Sequence, residues 1–115
     1  MDTYRVLVCQ YLEGLRDNMR EERWAPAASD ALHLADMVAA IVLARHGLPV
    51  PGSHRGRLAM LRRASHELAR VHGRLQDLYS RMSYLGLDGG LARGLEGLVE
   101  ALLGGLERHG ERLPC

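Results

Sequence analysis

An apolar helix followed at once by a proline-rich stop constrains this chain more than any other feature. In the run AASDALHLADMVAAIVLAR (27–45), Ala28, Ala31, Leu32, Ala35, Val38, Ala39 and Val42 recur three and four residues apart, as one helical face requires. The run predicts a central core helix. His46 and Gly47 end it, because glycine tolerates the left-handed conformation just past a helix end, and Pro49 and Pro51 forbid its resumption. Ser53 restarts the chain. Its hydroxyl can accept from the free N–H groups of the next turn, so SHRGRLAML reads as a capped helix start.

The remaining segments are also helical. Tyr4, Leu7, Val8, Tyr11, Leu12, Leu15 and Met19 form the apolar face of a first helix that ends near the charged NMREER segment. Trp24 and Pro26 open the central helix, proline being tolerated in a first turn. Beyond the stop, Leu58, Leu61, Leu68, Val71, Leu75, Leu78 and Met82 keep helical spacing. This run is too long for one ordinary helix, and a kink is expected between Ala64 and Gly73, since Ser65 and Gly73 both weaken a helix interior. LGLDGG (85–90) reads as a loop, and Leu91 to Arg108 as the last helix. With no alternating strand pattern and apolar content dominated by Leu and Ala, 115 residues predict a single all-α domain over 1–115.

The charge is unevenly distributed. Residues 45–74 hold seven arginines against one acid, Glu67, a local balance of +6 in a chain of net charge +1. On a helical wheel, Arg55, Arg62, His66 and Arg70 share a narrow sector nearly opposite Leu61, Leu68, Val71, Leu75 and Met82, a basic outer ridge on an amphipathic third helix. Such a ridge suits the phosphates of RNA, DNA or a nucleotide. The plainer alternative is a solvated face pairing with acids such as Asp30 and Asp36. In the last helix Gly90, Gly94, Gly97, Ala101, Gly104 and Gly105 form a small-residue stripe. Interior glycines weaken a helix, so the stripe predicts a close helix–helix seam, within the bundle or across a dimer.

Other chemistry is sparse. His66 and His72 are six apart, not the i, i+4 pair of a helical metal site, and no metal or cofactor is expected. Ser53 with His54, and Ser65 with His66, read as helix caps with exposed neighbours rather than activated nucleophiles. Cys9 and Cys115 are too few and too ill-spaced for a zinc site or a disulfide framework, and are expected to be free thiols. No apolar run suggests a membrane span and the N-terminus lacks a signal-peptide layout, so a cytoplasmic location is expected.

The order AASDALHLADMVAAIVLARHGLPVPGSHRGRLAML, then LQDLYSRMSYLGLDGG and a last helix, resembles the HEPN superfamily of small helical bundles, especially its archaeal PaREP-like branch. The family's Gly-Leu-x-Pro break, approximated here by Gly47-Leu48-Pro49-Val50-Pro51, Ser53 and His54 opening the next helix, and Tyr79, Arg81 and Tyr84 before the loop carry the likeness over about residues 20–105. The resemblance implies an up-and-down bundle of four to five helices, frequently dimeric, tied to RNA cleavage, nucleotide binding or toxin–antitoxin pairs with a nucleotidyltransferase partner. Active ribonuclease members carry Arg, four to six residues, then His. Arg81 occupies the arginine position, but Gly86, Leu87 and Asp88 follow where the histidine belongs. Without an imidazole to take the 2′-hydroxyl proton, general acid–base help is missing. The expectation is therefore a non-catalytic binding or assembly module forming a homodimer through the last or first helix. The alternative is a divergent ribonuclease using Arg81 and a nearby histidine.

Overall fold

In the structure, a computed structural model describing residues 3–86 and 88–115, five helices form an all-α bundle: α1 (Thr3–Arg20), α2 (Trp24–Arg45), α3 (His54–Ala64), α4 (His66–Leu85) and α5 (Gly89–Arg108). α2 is the axis, touching each of the other four helices, while α4 pairs with α5 and α1 meets α5 only marginally. The central position follows from composition. Ala31, Leu34, Ala35, Val38, Ala39, Val42 and Leu43 are fully buried, and their small side chains let neighbours approach from several directions. Each large aliphatic among them contributes about 1.5–3 kcal/mol by burial.

α2 also corrects one expectation. It is long and apolar enough, by length and composition, to cross a bilayer, yet 67% of its most apolar window is buried inside the bundle. Here it is the core helix of a globule. It stops where the sequence placed the stop, with His46 as C-cap and Gly47 at φ +67°. Ser53 caps α3, its hydroxyl accepting from the Gly56 N–H at 3.0 Å.

The expected kink is a complete break. Ser65 takes extended backbone angles (φ −158°, ψ 112°), and its hydroxyl accepts from the Leu68 N–H at 3.2 Å, capping a new helix. Apolar spacing runs through this point because both helices bury residues, so periodicity alone carried no sign of the break. The loop before α5 is also shorter than expected. Asp88 accepts from the Leu91 N–H at 2.8 Å and starts α5 at Gly89, so Gly89 and Gly90 are helical; Leu87 lies outside the described residues.

The glycine stripe forms part of the seam between α5 and α4. A Cβ at Gly94 would meet Leu78, and one at Gly105 would run into the buried Leu68 side chain. Gly97 faces open space.

The chain ends tie together, which overturns the free-thiol expectation. Cys9 and Cys115 form a disulfide with Cα atoms 5.7 Å apart across 106 residues of sequence. The tail after α5 turns at Gly110 (φ +81°) and buries Glu111, whose carboxylate accepts from Arg5 of α1 and, at 2.9 Å, from Arg45 of α2. Leu113 packs against the core. These contacts steer Cys115 back to α1, which sequence spacing could not show. Burial pushes the Glu111 carboxyl up, but hydrogen bonds from Arg5 and Arg45 outweigh it and hold the group below its ordinary value.

Candidate functional site

The basic segment divides into paired and unpaired arginines. Arg45 is taken by Glu111 and Arg57 by Asp36, while Arg108 of α5 pairs with Glu67, the segment's only acid. Arg55, Arg62 and Arg63 of α3 and Arg70 and Arg74 of α4 are exposed and make no ion pair among the described residues. The pairing alternative thus holds for Arg45 and Arg57, of which Arg57 alone meets one of the acids named from sequence. The exposed surfaces of α3 and α4 thus keep five arginines that form no ion pair among the described residues.

The break at Ser65 changes how this face is built. Arg55, Arg62, His66 and Arg70 are all exposed but do not share one helix: the first two lie two turns apart on α3, the others one turn apart on α4. Within α4, His66, Arg70, Arg74, Asp77, Arg81 and Tyr84 fall inside a sector of about 80° at 3.6 residues per turn. Leu68, His72, Leu75 and Met82 occupy the opposite, buried side. Arg74 and Arg81 line a shallow groove with Asp77, Leu78 and Leu98 of α5. No histidine lines that groove, so Arg81 has no imidazole beside it there.

Beneath α3 lies a buried carboxylate. Asp36 of α2 is 2% exposed. Its Oδ2 sits 2.7 Å from His54 Nδ1 and 3.2 Å from an Arg57 guanidinium nitrogen, and its Oδ1 3.5 Å from Nε2 of the fully buried His72. Three helices converge on one charge. Burial pushes the Asp36 carboxyl up, while the neighbouring His72 and His54 rings pull it down and prevail, leaving it below its ordinary 3.8. Oδ1 of Asp36, Nε of Arg57, both ring nitrogens of His72 and Nε2 of Gln76 are buried without a hydrogen-bond partner among the described residues.

The chain matches no protein-family model, no curated protein and no solved structure. No group of three His, Cys, Asp or Glu side chains is arranged to hold a metal ion among the described residues.

Sequence reasoning passed over Asp36 as a clamp, and over Arg57 and His72 entirely as core groups. A signal existed. Arg57 precedes Leu61 by four residues, and His72 follows Leu68 by four and precedes Leu75 by three, so both sit at inward registers of amphipathic helices. The clamp fixes α3, which has Leu61 as its one fully buried residue, against α2. That fixes Arg55, Arg62 and Arg63 relative to the α4 arginines.

The clamp is acid-sensitive. Because the folded Asp36 carboxyl titrates below its ordinary 3.8, its stabilisation is present above the unfolded value and is lost as pH falls through the folded one. Urea midpoints should therefore fall between pH 5 and pH 2, and by less in Asp36→Asn. An equal fall in both proteins would remove Asp36 from the explanation.

Proposed function

We propose that the protein is a non-catalytic, HEPN-like binding or assembly module whose α3–α4 face receives the phosphates of RNA or a nucleotide. The carrying observation is the set of exposed arginines left without ion pairs there while Arg45, Arg57 and Arg108 are paired. Arginine presents a planar fork matched to phosphate oxygens. Arg55, Arg62 and Arg70 form the core of the proposed site, with His66 at the α3–α4 junction. Replacing these three arginines with glutamine should strongly weaken binding of a labelled RNA while leaving the helical fold intact. Undiminished binding by the triple variant would refute the assignment.

A homodimer and a nucleotidyltransferase partner, as in toxin–antitoxin pairs, belong to the same proposal, with the cytoplasm as its compartment. Disulfides are rare in the cytosol outside hyperthermophiles, so that location goes with a Cys9–Cys115 bridge that is either maintained as hyperthermophile proteins maintain theirs or opened there. For the dimer, Gly97 is the informative position, since a side chain there meets nothing within its own chain. Sedimentation should give a dimer, shifted towards monomer by Gly97→Leu if α5 forms the seam. A monomer at high micromolar concentration would refute the dimer.

A further inference from the structure

We infer that the polymer this face takes is single-stranded nucleic acid, laid along α4 with one base stacked on Tyr84; this rests on the phosphate-binding reading above. Tyr84 is 89% exposed, more than any other large apolar side chain among the described residues, and no packing in the bundle explains it. It lies 18 residues, five full turns, after His66 and so falls in line with Arg70, Arg74 and Arg81 on the outer side of α4. From Arg70 to Tyr84 the helix rises about 21 Å, at 1.5 Å per residue. The stripe therefore presents cations in sequence and an aromatic ring at its end.

That combination distinguishes between polyanions. Cations along a track neutralise any phosphate or carboxylate polymer, but a freely exposed ring gains most from an unstacked base, whose flat face it can cover. A duplex keeps its bases stacked on one another and offers this ring only its backbone. An acidic peptide has no base to offer. Asp77, between Arg74 and Arg81 on the same stripe, opposes the track. Its exposed carboxylate makes no ion pair among the described residues.

The test is fluorescence anisotropy of the full chain with a labelled single-stranded oligonucleotide of about ten nucleotides, the matched duplex and a poly-glutamate peptide of equal charge. The single strand should bind more tightly than either. Tyr84→Ala should weaken it about fivefold to a hundredfold, the span of one base–aromatic stack, with its salt dependence unchanged, and Tyr84→Trp should restore it. Asp77→Asn should tighten binding. Tyr84→Ala without effect, in a protein that still binds in an arginine-dependent way, would overturn the stacking inference and leave the phosphate face standing. Equal or tighter binding of duplex or peptide would overturn the single-strand assignment. No binding of any probe would overturn both.

Discussion

Truncating Asp36 to alanine should lower the unfolding free energy by about 3–5 kcal/mol, the usual cost of removing one partner from a buried charge cluster. The loss is large because the change strands His72, which is fully buried, and Arg57, whose side chain is only 19% exposed. Against a total stability of about 5–15 kcal/mol for a domain of ordinary stability, the variant would be close to unfolding at ambient temperature. The damage should begin at α3, since that helix loses its charged contact with α2 while α4 and α5 keep theirs to each other. Hydrogen exchange should therefore quicken first over residues 54–64. Glu67→Ala supplies the control: its pair with Arg108 is exposed on both sides, and exposed pairs contribute about 0–1 kcal/mol. If Asp36→Ala cost no more than that control, the carboxylate would not be the element that seats α3.

Opening the Cys9–Cys115 bridge should cost about 2–4 kcal/mol, because it closes nearly the whole chain into one loop and so restricts the unfolded ensemble. The expected readout is a fall in melting temperature on the order of 10 °C on adding reductant, or in Cys9→Ser. The tail should stay partly docked, since Glu111 still meets Arg5 and Arg45 and Leu113 still packs on the core. Melting that ignores reductant, with both thiols open to alkylation in the native protein, would show that the bridge does not form in solution.

How far the sequence could be read depended on whether a feature was local. α2 was legible because its apolar spacing, the His46–Gly47 stop and the two prolines act within a few residues of each other. The Ser53 cap was legible for the same reason. The break at Ser65 was half visible: serine weakens a helix interior, but the apolar register of α3 runs on into α4, so a kink and a new helix look alike until the extended angles of Ser65 are seen. That ambiguity placed Arg55, Arg62, His66 and Arg70 on one helical wheel, whereas the fold distributes them over two helices and leaves His66 and Arg70 beside Arg74 and Arg81 on α4. The disulfide was out of reach, and of the Asp36 clamp only the inward registers of Arg57 and His72 could be read, because the pairings themselves depend on tertiary contacts. Cys115 returns to Cys9 only through the burial of Glu111, and Asp36 acquires its meaning from side chains on two other helices.

Whether the exposed α3 and α4 arginines receive phosphates is decided by the salt dependence of binding to single-stranded RNA. Each phosphate neutralised on a single strand contributes about −0.7 to the slope of log K against log salt. Engagement of Arg55, Arg62 and Arg70 together therefore contributes about −2 to the slope, which should become shallower by about that amount when all three are replaced by glutamine. A slope near zero for the unmodified protein, or no binding even at low salt, would show that the arginines are a solvated surface and receive no phosphate.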